Sequence, residues 1–386
     1  MIQVVAVEGY RSLRDLRTPL DGLNVVTGPN GSGKSSFYKA LRLLADASRN
    51  GAVAALAREG GLPSALWAGP AVLSKSVKRG EHPVQGTARR GPVHLRMGFS
   101  SDEFGYAMDL GLPTKSDSAF QLDPEIKREA VWHGPVLRPA ALLCDRHGGK
   151  VRLRDASGTW VDVPGELAPY DSMLAEVASV DQAPELVLLR RQLQGWRFYD
   201  HFRTDSEAPA RRAQIGTRTT ALAHDGADLA AALQTIVEIG DAEALGAAVD
   251  AAFPGSALSV RTGAGFLTSL QQPGMLRPLP AAELSDGTLR YLLLVAALLT
   301  PRPPELLVFN EPETSLHPDL HGALADLMVS VAARTQIVVV SHSARFVERL
   351  SDGTSARLIE LRKELGETVI EGQGLMGRGS WQWPER

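Results

Sequence analysis

A single cysteine, Cys144, stands in a chain of 386 residues, which excludes an internal disulfide and a multi-cysteine zinc site. It follows the apolar run Ala140-Ala141-Leu142-Leu143 and reads as a buried structural thiol. No apolar run reaches the ~18 residues of a membrane-spanning helix, so no membrane partner is expected. The greasiest stretch, Leu292 to Leu299, is stopped soon after by Pro301. Charge of one sign is also missing: the net charge of −3 gives no global electrostatic case for nucleic acid. No long heptad run appears, which argues against a coiled-coil arm, and no internal repeat is evident. The nine histidines show no metal-ligand spacing; His317 and His321 are four apart but have no third ligand nearby in sequence. The chain opens as a strand, Ile2 to Val7, with no basic region and no cleavage site. No signal peptide is therefore expected, and the cytoplasm is the default location.

What is present begins with a phosphate cradle. Residues Gly28-Pro29-Asn30-Gly31-Ser32-Gly33-Lys34-Ser35 fit G-x-x-x-x-G-K-[ST] at every fixed position. The glycines let successive backbone N–H groups turn inward toward phosphate oxygens. Lys34 would reach the β- and γ-phosphates as a compact cation, and Ser35 would place its hydroxyl on magnesium. The flanks agree: Leu23 to Val26 reads as a buried strand, and Phe37, Ala40, Leu41 and Leu44 have helical spacing. The start of that helix adds its dipole to the anion site. Far downstream, the apolar strand Leu306-Leu307-Val308-Phe309 runs straight into Asn310 and Glu311. A short hydrophobic strand ending in acid is how P-loop NTPases hold magnesium and a hydrolytic water, although here the first polar position is an amide.

Between these motifs the texture changes twice. Pro92 to Phe99 and Phe104 to Leu110 read as a hairpin, and Ala140 to Cys144, Lys150 to Arg154 and Thr159 to Val163 as a meander. Asp171 to Val180, Ala183 to Trp196, Gly226 to Ile239 and Asp241 to Phe253 read as helices, with the polar, arginine-containing segment Thr204 to Thr220 as an exposed loop. Strands resume at Ala257 to Arg261 and Gly265 to Leu270. The last third alternates helix Gly287–Leu299, strand Leu306–Phe309, helix Pro318–Ala333, strand Gln336–Val340 and helix Ala344–Leu350, followed by strands near Ala356–Leu361 and Thr368–Glu371. Such alternation implies a parallel sheet covered by helices, hence an α/β fold. The expected division is 1–165 (P-loop and antiparallel strands), 166–255 (an inserted helical lobe) and 256–386 (the remaining half of the head).

Three more segments complete a set. Leu284-Ser285-Asp286-Gly287-Thr288 opens the greasy helix, with Ser285 as an N-cap that can also bind phosphate. Ser315-Leu316-His317-Pro318 follows Glu311. The strand Ile337 to Val340 ends in Ser341-His342-Ser343. In this order the five motifs resemble the ABC-type ATPases, and within them the SMC/RecF-like and OLD-like group. The opening Glu8-Gly9-Tyr10-Arg11-Ser12-Leu13 is similar to that group's N-terminus. The resemblance covers the first ~50 and last ~110 residues well and the middle weakly.

The resemblance implies ATP and Mg2+ as ligands. It implies that Asn30, Gly31, Ser32, Gly33, Lys34, Ser35 and Ser36 hold the phosphates. Ser35 and Asn310 would lie on the magnesium side, and Ser285 and Gly287 belong to a signature motif that contacts nucleotide held by a second subunit. Glu311 looks like the general base or water-positioning carboxylate, His342 like the switch histidine, and Ser315 to Pro318 like the D-loop at a dimer interface. Arg11 matches a basic position that in relatives approaches the phosphates; a solvated charge is the alternative. An ATP-dependent homodimer follows. Two departures stand out. Asn310 replaces an aspartate, so its carbonyl accepts from magnesium-bound water but adds no negative charge, which predicts weak magnesium binding and slow turnover. The Q-loop glutamine, Gln85 or Gln121, lacks a convincing context.

Two readings of the partner remain. Lys75, Lys78, Arg79, Arg89, Arg90 and Arg96, with Arg203, Arg211, Arg212 and Arg218, would suit DNA phosphates and a role in DNA maintenance or sensing, or they are solvated surface charge. Alternatively, the ATPase is a switch for an effector protein in a defence or toxin system. Transport is disfavoured by the signature, Leu-Ser-Asp-Gly-Thr, which differs from the transporter type, and no acidic cluster for a nuclease appears.

Overall fold

The computed structural model describes residues 1–49, 51–69, 94–113, 119–263 and 265–385. They fall into two compact units, Met1–Asp21 with Gly28–Gly195 and Ile359–Arg386, and Gly22–Thr27 with Trp196–Leu358.

The first unit is built on an eight-stranded antiparallel sheet. Its strands lie in the order Leu13–Pro19, Ile2–Tyr10, Leu95–Ser101, Phe104–Gly111, Glu125–His133, Leu142–His147, Lys150–Arg154 and Trp160–Asp162. The expected hairpin and meander are present, but two strands, Leu13–Pro19 and Glu125–His133, are additional. Glu125–His133 carries buried charge on its inner face. Glu129 accepts from the Tyr106 hydroxyl (2.7 Å), the Ser172 hydroxyl (2.6 Å), the Met173 amide (2.8 Å) and the Arg146 guanidinium (3.0 Å). Satisfied in this way, a carboxylate can be wholly buried without an unpaired charge. Three residues on, Trp132 packs edge-on against Trp381 at 5.5 Å between ring centroids.

The helix Lys34–Ala47 buries Phe37, Leu41, Leu44 and Ala45, the i, i+4, i+7, i+8 stripe of a core-facing helix, with Tyr38 beside it. With 14 residues it is the longest helix among the described residues. No helix among them is long and apolar enough to cross a membrane. The helix expected over Asp171 to Val180 shortens to Met173–Glu176; Arg146 holds the segment before it, donating to the Ala168 (2.9 Å) and Asp171 carbonyls. The helix Pro184–Gly195 also belongs to this unit, as does, from Ile359 on, the hairpin of Arg357–Glu364 with Glu367–Ile370, paired at Leu361 and Ile370.

The second unit holds parallel strands in the order Arg197–Tyr199, Leu306–Asn310, Gln336–Val340 and Leu23–Thr27. Their apolar runs are continuous because both faces are covered. The helix Asp286–Leu298 is buried at every position from Leu289 to Leu298, as a helix apolar on every face apart from Arg290 must be. Helices Leu229–Ile239, Ala242–Ala252, Leu320–Val331 and Ala344–Ser351 complete the cover. A small antiparallel sheet joins Ala257–Arg261, Leu267–Gln271 and Leu279–Pro280.

Candidate functional site

The phosphate loop lies in the first unit. Gly28, Gly31 and Gly33 have φ of 140°, 77° and 112°, the left-handed region that a side chain would resist. Two of them also admit close neighbours from the far end of the chain. A Cβ on Gly28 would collide with the Leu361 carbonyl, and one on Gly33 with the Thr368 hydroxyl. Thr368 goes further: its hydroxyl donates to the Ser32 carbonyl at 2.7 Å and lies 2.8 Å from Ser12 Oγ, whose hydroxyl can donate to it, and its amide donates to the Ser12 carbonyl at 2.8 Å. The C-terminal hairpin thus fixes the loop from outside.

The donors a phosphate needs are present. The helix starts at Lys34 with Gly33 as N-cap, no side-chain cap and no acid in the first turn. Its first N–H groups are left for an anion. Lys34 is buried and donates to the Gly28 (2.7 Å) and Pro29 (3.2 Å) carbonyls, an ammonium held within reach of the loop's own backbone. Ser32 is buried with its hydroxyl unpartnered, an orphan that a phosphate oxygen would satisfy. Asn30, Gly31 and Ser35 are exposed, and Ser36 is half-buried. These residues fit a nucleotide phosphate, with the Ser35 hydroxyl available to a hard cation.

Arg11 occupies a different setting. Its guanidinium donates to Glu59 at 2.8 Å, the same carboxylate that accepts from the Tyr10 hydroxyl at 2.7 Å and faces Lys39 at 3.5 Å. Burial first, and then this hydrogen bond to Glu59, pushes the Tyr10 phenol well above its ordinary range. Arg11 is therefore neither a freely solvated charge nor an unengaged one; to meet a phosphate it must leave Glu59.

The second unit brings the remaining residues to the carboxyl ends of its parallel strands, where ligands bind in sheets of this kind. Glu311 Oε1 lies 3.1 Å from His342 Nδ1. Glu311 has φ 49°, a left-handed conformation unusual for a glutamate, and its amide donates to the Val340 carbonyl at 2.7 Å. Strain at a non-glycine residue clusters at functional sites. Beneath it, buried Arg290 donates to the Glu311 carbonyl at 3.2 Å. Burial pushes the Arg290 guanidinium down from its ordinary range, and the nearby Glu313 and Asp200 carboxylates oppose that. Ser341 Oγ donates to Glu313 and accepts from the Ser343 amide at 3.1 Å, which sets the turn bearing His342. Asn310 donates its amide to Asp200 Oδ1 at 2.6 Å.

Ser285 caps its helix, its hydroxyl accepting from the Thr288 amide at 3.1 Å. A Cβ on Gly287 would meet the Ser315 carbonyl at 3.3 Å, so the Ser285–Gly287 turn and the Ser315–Pro318 segment lie together. What holds the turn is Arg211, which donates to the Leu284 carbonyl (2.6 Å), the Ala281 carbonyl (2.9 Å) and Asp286 (2.6 Å). This corrects the reading of Arg211 as part of an exposed basic loop: it is buried. Its neighbours are paired as well, Arg203 with Asp205, Arg212 with Glu207 and Arg218 with Glu238. Arg96 faces Asp109 and Glu8. Lys75, Lys78, Arg79, Arg89, Arg90 and Gln85 lie outside the described residues; Gln121 is exposed. His317 pairs with Asp319, and among the described residues no group of three metal-ligating side chains forms.

Arg290, Asp200 and Thr368 were not legible as site residues, and Arg211 was legible only as a possible DNA-facing charge. Of the first three, only Arg290, a charge inside an otherwise apolar helix, carried a sequence signal.

Residues 1–109 match a family model described as "AAA ATPase domain", and residues 176–348 one described as "AAA domain, putative AbiEii toxin, Type IV TA system". Among solved structures, an SMC head bound to the C-winged helix domain of ScpA aligns at a TM-score of 0.53 and 14% identity, covering 97% of this chain and 98% of that one. The SMC head domain from Thermotoga maritima aligns at 0.50 and 13%, covering 97% and 99%. At such identities the likeness is one of fold.

Proposed function

We propose that this chain, matched in part by two AAA ATPase family models and similar in fold to an SMC head, is an ABC-type ATPase of the SMC-, RecF- and OLD-like group, an ATP-gated switch that two copies close and hydrolysis opens. The observation that carries hydrolysis is the Glu311–His342 pair, 3.1 Å apart at the ends of adjacent strands. Glu311 accepts a proton from, or orients, the attacking water, and His342 holds the carboxylate toward it. Lys34 and the N–H groups of residues 30–36 bind phosphate, and Ser35 and Asn310 face the magnesium side. Mg-ATP, when bound, supplies the scissile phosphate and the cation that offsets its charge. Ser285 and Gly287 serve nucleotide held by the second copy. Asn310 brings no charge of its own, which argues for slow turnover and a long-lived ATP-bound state; the degree depends on Asp200 beside it.

The partner this favours is a protein. Arg203, Arg212 and Arg218 each face a carboxylate and Arg211 is buried, so this loop offers no unpaired basic stripe to DNA. The family description of residues 176–348 and the ScpA-bound SMC head both suit a protein-directed switch. Sedimentation of wild type and Glu311→Gln with and without Mg-ATP tests the switch: an ATP-dependent dimer trapped in the variant supports it, and monomer under every condition refutes it. DNA binding that persists in 200 mM salt would instead restore the DNA reading.

A further inference from the structure

Asn310 is not alone at the end of its strand. Tyr199 and Phe309 are paired in the parallel register of their strands, so the next residue of each, Asp200 and Asn310, emerges side by side at the carboxyl end of the sheet. Their side chains meet at 2.6 Å. A carboxylate has only acceptors, so the contact fixes the amide's orientation: Nδ2 donates to Asp200, and Oδ1 is turned away from it. Asn310 therefore keeps an acceptor for water while its amide carries the polarisation of a neighbouring negative charge. Asp200 is exposed, and so can approach a hydrated cation.

We propose that Asp200 supplies the carboxylate that position 310 lacks, the two residues acting together as the acceptor pair for water bound to the nucleotide's magnesium. The inference rests on the ATPase reading above. Magnesium keeps several of its waters, so a carboxylate in its outer sphere adds attraction without direct ligation. Asp200 is a positioning residue here. The usual aspartate has been replaced by a split arrangement, amide on one strand and charge on the next. The arrangement also says why a lone Asn310→Asp change is no repair, since it would set two carboxylates within hydrogen-bond distance.

The test is a magnesium titration of binding to a fluorescent ATP analogue, followed by anisotropy, for wild type, Asp200→Asn, Asn310→Asp and the double exchange Asp200→Asn/Asn310→Asp. An outer-sphere partner of a metal site is worth about 10-fold or more in metal affinity. The expected result is a magnesium half-point raised ~10-fold in Asp200→Asn, with affinity for the analogue in EDTA unchanged. The double exchange, which rebuilds the pair with the charge on the other strand, should recover most of that loss. An unchanged half-point in Asp200→Asn, against a magnesium-dependent wild type, overturns this inference alone. A raised half-point that the double exchange does not recover also overturns it, because the pair would then be no interchangeable unit. Absence of magnesium-dependent nucleotide binding in wild type would overturn the ATPase reading and this inference with it.

Discussion

Glu311 Oε1 and His342 Nδ1 lie 3.1 Å apart, on strands paired in parallel register from Leu306–Gln336 to Asn310–Val340. The register sets this distance: Glu311 is the first residue beyond its strand and His342 the second beyond the neighbouring one, so neither needs a long loop to reach the other. His342→Ala should lower the ATPase kcat by about 100-fold, the range for a group that orients a general base. KM for ATP should change far less, because His342 is not part of the phosphate loop. Steady-state phosphate release over a range of ATP concentrations measures both. A KM effect with kcat preserved would place His342 in binding.

The phosphate loop is braced by a residue more than 300 positions away. Thr368 donates to the Ser32 carbonyl at 2.7 Å and contacts Ser12 Oγ at 2.8 Å. Thr368→Val keeps the shape and removes the hydroxyl; Thr368→Ser keeps the hydroxyl. One neutral hydrogen bond contributes about 1 kcal/mol, so Thr368→Val should weaken ATP binding roughly fivefold, while Thr368→Ser stays near wild type. Titration calorimetry with ATP separates them. Equal losses in both variants would mean that packing of the hairpin matters and the hydroxyl does not.

Arg211 is the residue whose environment departs most from its sequence context. Its guanidinium donates to the Ala281, Ala282 and Leu284 carbonyls and to Asp286 around the signature turn, and to the Thr204 carbonyl of its own loop at 2.8 Å. Arg211→Ala strands buried carbonyls and should destabilise the second unit by about 2–4 kcal/mol, mostly through lost charged hydrogen bonds. Asp286 is itself exposed, so the ion pair adds little. Urea unfolding followed by circular dichroism measures the loss. DNA affinity, by contrast, should not respond to this substitution.

The contrast between Arg211 and Glu311 shows what sequence could and could not reveal. The apolar strands Leu306–Asn310 and Gln336–Val340 are buried on both faces, so their runs are unbroken and easily read. The phosphate loop is legible because the chemistry of backbone N–H donors demands glycine at fixed spacing. Leu13–Pro19 and Glu125–His133 were missed because both carry charged residues that break the apolar alternation; in Glu125–His133 the inward Glu129 is neutralised by partners 17 to 44 residues away. Arg197–Tyr199 is three residues long, too short for any periodicity, yet it delivers Asp200 to Asn310. Partners distant in sequence leave no local pattern.

Glu129 gives the sharpest stability prediction. Four donors converge on its two oxygens, Tyr106 and Ser172 on Oε1, Met173 and Arg146 on Oε2, and none of its surface is exposed. Removing it in Glu129→Ala leaves the buried Arg146 charge without its carboxylate and three further donors without an acceptor. The loss should be about 3–5 kcal/mol, the range for breaking a buried ion pair from one side. Glu129→Gln should recover part of that loss. With its NH2 in the place of Oε1, the Tyr106 and Ser172 hydroxyls can turn to accept, and the amide oxygen takes the Met173 and Arg146 donors, so what is lost is the negative charge opposite Arg146. Tryptophan fluorescence during urea unfolding is the natural probe, because Trp67, Trp132, Trp160, Trp381 and Trp383 all belong to this unit and only Trp196 to the other. A Glu129→Gln protein as stable as wild type would show that the carboxylate's charge opposite Arg146 adds nothing beyond its hydrogen bonds.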